Sequence, residues 1–140
     1  MEVKETRNIQ DVLECVPFEC QIREKGRDRV TVKDMLYFTA QGFANDPSFR
    51  FFIFYEQGRI VGYVALRILF DKYERGVHII RVFKDKNFPE VLVKLEELLT
   101  AICTHYKLDR IIGRADSPSM KKYMESKGFT TAYTVMQRRV

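Results

Sequence analysis

Apolar positions fall into two kinds of run along this chain. Arg50 to Tyr55 and Ile60 to Phe70 are almost unbroken in Phe, Ile, Val and Leu, and Val77 to Phe83 is a third run of the same kind. Short runs rich in β-branched and aromatic residues read as strands. Between the first two, Glu56-Gln57-Gly58-Arg59 carries the glycine of a tight hairpin, and Asp71 to Gly76 makes a looser one. Three consecutive antiparallel strands that are apolar on both faces need helices on both sides.

The other runs follow the helical period. Val91, Leu92, Leu95, Leu98, Leu99, Ile102, Cys103 and Tyr106 form one stripe over Pro89 to Tyr106. Asn8 and Asp11 mark an earlier helix start, with Val12, Leu13 and Val16 inward and a stop expected before Pro17. Thr31 to Asp34 is a second start, followed by Met35, Leu36, Thr39, Ala40 and Phe43 and ended by Gly42 and Asn45-Asp46-Pro47. The charged stretch Phe18 to Val30 reads as loop or weak helix, and Met1 to Thr6 as a first strand.

After the long helix comes a strand from Arg110 to Arg114. A short helix over Ser117 to Lys127 follows, with Gly128 where a left-handed cap belongs. Thr130 to Arg138 alternates and predicts a last strand. Strand, helix and strand in succession imply a right-handed crossover, hence a parallel pair in an otherwise antiparallel sheet. The fold class is α/β (α+β): a mixed, mostly antiparallel sheet with helices on both faces.

Composition fits one globular domain over residues 1–140. Apolar residues make up 46% and aromatics 13%, and no linker, repeat or low-complexity tract divides the chain. A chain of 140 residues buries about two-thirds of its unfolded surface. The longest apolar run is broken by Arg67 and is too short to span a bilayer, and the acidic N-terminus is unlike a signal peptide. A cytoplasmic protein with no membrane partner is expected. Cys15, Cys20 and Cys103 suit neither a disulfide framework nor a zinc site, and two histidines without grouped ligands argue against any metal. The net charge of +5 favours an anionic partner such as a nucleotide-bearing cofactor. Acids interrupt the Arg23, Lys25, Arg27 and Arg29 cluster, and the absence of a concentrated basic face argues against nucleic acid.

The closing stretch Ser117-Pro118-Ser119-Met120-Lys121-Lys122-Tyr123-Met124-Glu125-Ser126-Lys127-Gly128-Phe129 resembles the late motif of the Gcn5-related N-acetyltransferase (GNAT) superfamily. That motif runs roughly Asn-x-x-Ala-x-x-x-Tyr-Glu-Lys-x-Gly-Phe. Glu125, Gly128 and Phe129 match in place. Ser117 stands for the Asn and Met124 for the frequent catalytic Tyr, with Tyr123 one position away. Gly62, in Ile60-Val61-Gly62-Tyr63-Val64-Ala65-Leu66, sits where many members carry a similar glycine. The order of elements resembles the family over the whole chain. It implies a V-shaped splay between the strand ending at Phe83 and its parallel neighbour, and acetyl-CoA as cofactor.

The family's Gln/Arg-x-x-Gly-x-Gly/Ala segment is replaced. This chain reads Val82-Phe83-Lys84-Asp85-Lys86-Asn87-Phe88-Pro89-Glu90-Val91-Leu92, with Asn87 for the Arg and Phe88, Glu90 and Leu92 for the glycines. Bare amides at a helix start suit a pyrophosphate, and side chains obstruct it. Pro89 removes one donor, and Asn87 with Glu90 has the spacing of a capping box that closes the end upon itself.

The resemblance implies cofactor contacts from the backbone of Arg81, Val82 and Phe83, with Lys84, Lys86, Asn87 and Ser117 as flanking contacts. His78 is the candidate base, since the family often draws its base from that strand and imidazole titrates in the useful range. An ordinary structural histidine is the competing reading. Tyr123 is the candidate acid for the leaving thiolate, against a plain packing role. His105 suits the negative end of the long helix.

Two functions follow. One is an acetyl-CoA-dependent N-acetyltransferase acting on an unidentified small-molecule or protein amine. The other is a non-catalytic GNAT-fold domain serving protein or nucleic-acid binding, or structure. The exposed final strand invites pairing between chains, which points to a homodimer.

Overall fold

The computed structural model describes residues 1–22, 29–70, 75–115, 118–132 and 136–140, with the side chains of 22 and 29–31 excepted. The elements, in chain order, are β1 (Glu2–Thr6), α1 (Ile9–Ile22), α2 (Arg29–Asn45), β2 (Phe49–Glu56), β3 (Arg59–Leu69), β4 (Gly76–Lys84), α3 (Glu90–Tyr106), β5 (Ile111–Ile112) and α4 (Pro118–Ser126). One sheet runs in the order β1-β2-β3-β4-β5. The first three pairings are antiparallel and β4–β5 is parallel. This is the mixed α/β architecture expected from the sequence.

The β2–β3 hairpin turns on Gln57 and Gly58, with φ of 50° and 76°. Two consecutive residues of positive φ match the right-handed twist of the flanking strands. Both sheet faces are apolar and both are covered. Phe52, Phe54, Val64, Leu66 and Val77 pack with Val91, Leu95, Leu99 and Ile102 of α3. Phe49, Phe51, Ile53, Tyr63 and Ala65 pack with Val12 and Cys15 of α1 and Met35 of α2. The α3 stripe is buried as its spacing requires.

Several boundaries differ from the sequence reading. Helix α1 does not stop before Pro17 but runs through it to Ile22. The carbonyl that Pro17 cannot bond belongs to Leu13, on the exposed side of the helix, where water can replace the lost donor. Phe18 to Ile22 is therefore helical, and α2 begins at Arg29; residues 23–28 lie outside the described ones. Helix α2 runs through Gly42, whose bare face lies against the Phe49 ring. The final strand is absent from the described residues 130–132 and 136–140, where Met136 and Val140 are fully exposed; 133–135 lie outside them. The turn after α4 is as expected. Gly128 has φ 89°, its N–H donates to the Glu125 carbonyl at 3.1 Å, and the Phe129 N–H donates to that of Met124 at 3.1 Å. These are the two bonds of a Schellman cap.

Candidate active-site cleft

Strands β4 and β5 pair only at Val77 with Ile111 and His78 with Ile112. Beyond that point β4 continues from Ile79 to Lys84 with no strand paired on that side among the described residues, and alternate backbone N–H and C=O groups along it turn away from β3. A register irregularity leaves Ile80 unmatched between Ile79, opposite Leu66, and Arg81, opposite Ala65. Such a bulge re-aims the side chains that follow it.

The splay opens a cleft of about 920 Å³, within the range of about 300–1,000 Å³ usual for small-molecule sites. It crosses the sheet. Leu92, Leu95 and Leu99 of α3 and Met120 and Met124 of α4 wall one side, while Met35 and Phe38 of α2 wall the other. The edge of β4 from Ile79 to Phe83 forms its floor. Most of the wall is apolar, and its polar groups are concentrated at two places.

The first lies on the α3–α4 side. The Tyr123 hydroxyl donates to Glu96 Oε1 at 3.0 Å, and Lys127 Nζ is 3.4 Å from the same oxygen. The Lys127 ammonium also stands 5.9 Å from the centre of the Tyr123 ring. Burial raises the Tyr123 pKa, and the neighbouring Glu96 carboxylate adds to the shift, because both disfavour a phenolate. Tyr123 therefore holds its proton throughout the neutral range.

The second lies at the floor. Arg81 donates from Nε to the Tyr63 hydroxyl at 2.8 Å and from Nη2 to Glu19 Oε1, and it lines the cleft. Glu19 is fully buried on α1. Burial works against the Arg81 charge, but Tyr63 and Glu19 outweigh it and its pKa is raised. The Tyr63 hydroxyl is likewise pushed up by burial, against the pull of Arg81. The ring of Tyr63 is stacked between Phe51 and Phe83, at 5.2 Å and 6.0 Å. The guanidinium is thus fixed at the base of the splay.

Of the residues singled out from sequence, the cleft brings together Arg81, Val82, Phe83 and Tyr123. It does not bring His78, which sits in the paired stretch at the closed end of the splay, half-buried and outside the lining. Its Nε2 is buried with no hydrogen-bond partner among the described residues. Lys84, Lys86 and Asn87 also lie outside the lining, and Ser117 falls outside the described residues. Glu96, Lys127 and Glu19 were not singled out from sequence. Glu96 meets Tyr123 only through the packing of α4 on α3, and Glu19 stands in a stretch that reads as loop.

The start of α3 departs from the expected capping box. Pro89 is the N-cap residue and no side chain caps the helix. Instead Asp85 organises a turn, its Oδ1 accepting the Asn87 N–H at 2.9 Å and its carbonyl the Phe88 N–H at 3.0 Å. The amides of Val91 and Leu92 donate to the carbonyls of Phe88 and Pro89. The Phe88 ring packs against the core, with the Arg59 guanidinium 5.4 Å from its centre. An acyl-CoA cofactor is therefore matched in part. The edge of β4 beyond its pairing with β5 suits the acyl and pantetheine arm, whereas the amides of Asn87, Phe88, Val91 and Leu92 at the start of α3 are engaged and do not offer a cradle for a pyrophosphate.

No family model matches the sequence, and no curated protein is similar to it. Solved structures are similar in fold. An integron cassette protein from the mobile metagenome of V. cholerae superposes with a TM-score of 0.75 at 17% identity, covering 99% of this chain and 91% of that one. A predicted acetyltransferase of Clostridium acetobutylicum with acetyl-CoA gives 0.70 at 14% identity, covering 99% and 95%. An aminoglycoside N-acetyltransferase in complex with CoA gives 0.66 at 14%, covering 99% and 98%. With its parallel pair splayed beside a long helix and both sheet faces covered, this chain has the fold of the GNAT acetyltransferases.

Proposed function

We propose that the protein transfers an acyl group, in the simplest case acetyl from acetyl-CoA, to an amine. The observation that carries this reading is the edge of β4 from Ile79 to Val82, which has no strand partner beyond β5 among the described residues and faces a cleft of small-molecule size in a fold shared with proteins solved with acetyl-CoA or CoA. When bound, the thioester supplies an activated acyl carbon. The backbone of Val82, on the side of β4 turned away from β3, holds the carbonyl and the arm, as strand edges bind extended ligands. Tyr123 would turn its hydroxyl from Glu96 to protonate the departing sulfur, and the proton lost by the acylated amine would then restore the phenol. The acceptor enters from the α2 side, where Asp34 places a carboxylate suited to an ammonium group. Exclusion of water by the apolar wall strengthens each of these contacts.

The test is transfer itself. Purified protein is incubated with acetyl-CoA and a panel of amines, including aminoglycosides and peptides with free N-termini, and free thiol is followed. Thiol release that depends on an amine supports the reading. No release, together with no rise in melting temperature at millimolar acetyl-CoA, refutes it.

A further inference from the structure

Accepting the cleft as a thioester site, we infer that this protein recognises its donor through the pantetheine arm alone and makes no binding use of the nucleotide end. Three observations carry the inference. Most amides that a diphosphate would need at the start of α3 are engaged: those of Asn87 and Phe88 on Asp85, those of Val91 and Leu92 on Phe88 and Pro89, while Pro89 has none and the amide of Glu90 belongs to the residue that carries a carboxylate. The space that bare glycines would leave is filled. Phe88 is seated against the core beneath Arg59, Val91 is fully buried, and Glu90 sets a negative charge in the first turn. Finally, residues 84–91 contribute nothing to the cleft wall, which on α3 begins at Leu92 and continues through Leu95 and Leu99. An apolar channel meeting an open strand edge fits an arm of methylenes and amides. A diphosphate brought to the start of α3 would meet an occupied helix end and a carboxylate.

The same arm is found on free CoA and on a carrier protein, so the ligand is named by that shared chemistry. Calorimetry on the intact protein separates the cases, with CoA, pantetheine, adenosine 3′,5′-bisphosphate and a phosphopantetheinylated carrier protein as titrants. Pantetheine is expected to bind within about threefold of CoA, a difference under 1 kcal/mol, and the bisphosphate not to compete. Carrier-borne arm binding more tightly than pantetheine identifies the carrier as the natural source, and equal binding identifies the free thioester. CoA binding tenfold or more tighter than pantetheine overturns the inference while leaving the acyl-transfer reading in place. Binding of neither overturns both. A Glu90→Gln variant supplies an independent check. It should leave CoA affinity unchanged, and a fivefold tightening for CoA without one for pantetheine would place a phosphate beside that carboxylate and defeat the proposal.

Discussion

Gly62 and Val91 are in contact across the two layers: a Cβ on Gly62 would stand 3.0 Å from Val91 Cγ1 and 3.1 Å from the Phe83 carbonyl oxygen. The start of α3 is thus drawn onto β3 beside the C-terminal end of β4, where Gly62 pairs with Lys84. Gly62→Ala must push the helix end outward or strain the β3–β4 ladder. The expected cost is about 1–3 kcal/mol, the usual penalty of overpacking a full core. Thermal and urea denaturation measure it, and an unchanged midpoint would show that the helix end moves freely. Since Leu92 lines the cleft one residue further on, ligand affinity should fall with stability in this variant.

The glycine at 62 was legible in the sequence; what it touches was not. The strands, the long helix and the cap at Gly128 follow from local signals: uninterrupted apolar runs, a stripe at helical spacing, a glycine after the last helical turn. The site is harder, because its members meet only in three dimensions. Glu96 and Tyr123 belong to different helices, and Arg81 reaches Glu19 across the sheet face. Local signals also misled. Pro17 reads as a stop, yet tertiary packing of Phe18 and the contact of Glu19 with Arg81 carry α1 past it. The spacing of Asn87 and Glu90 reads as a capping box, yet Asp85 takes the amide first.

Tyr123→Phe removes the proton proposed for the leaving sulfur and keeps the ring. Turnover should fall by about 10²-fold, the lower end for loss of a positioned acid, with donor affinity little changed. Because the Tyr123 pKa lies above its ordinary 10.0, this group should cause no alkaline fall in rate below about pH 10. Retained turnover in the variant would assign the proton to water.

Asp46 ties together three residues from separate parts of the chain. Its Oδ1 accepts the Ser48 N–H at 2.9 Å and the Ser48 hydroxyl at 2.6 Å, its Oδ2 pairs with Arg67 Nε at 2.9 Å, and its carbonyl accepts from Arg7 Nη2 at 3.0 Å. The Ser48 hydroxyl bond is the main cause of its lowered pKa, and Asp11 is lowered chiefly by the Thr6 hydroxyl. A carboxylate whose folded pKa is depressed stabilises the fold above its unfolded value, near 3.8. That contribution is lost as pH falls through the folded value. Stability should therefore be level from neutral pH down to about 5 and decline below about 4. Asp46→Asn should flatten the decline, and an acid limb identical to that of the unchanged protein would remove Asp46 from its cause.

The three thiols should separate by access. Cys15 is fully buried, and burial pushes its pKa up to about 12. Cys103 is half-buried and also raised by burial, while Cys20 is exposed. Only a thiolate reacts readily. Iodoacetamide at pH 7.5 followed by peptide mass spectrometry should label Cys20 first and Cys15 only after unfolding. Early labelling of Cys15 would mean that α1 opens from the sheet in the native state.

His78 lies in the closed part of the splay, paired with Arg67 and Ile112, and its buried Nε2 has no partner among the described residues. A buried nitrogen left without a bond costs about 1–3 kcal/mol. His78→Leu, which fills a similar space without that atom, should therefore raise the melting temperature and leave kcat within about twofold, under 0.5 kcal/mol of barrier. The catalytic alternative makes the opposite forecast. A fall in kcat of a hundredfold at unchanged or higher stability would mean that the imidazole reaches the amine through water, and would return His78 to the reacting centre as its base. The two outcomes separate on one variant, because stability reports the unbonded nitrogen and turnover reports the proton.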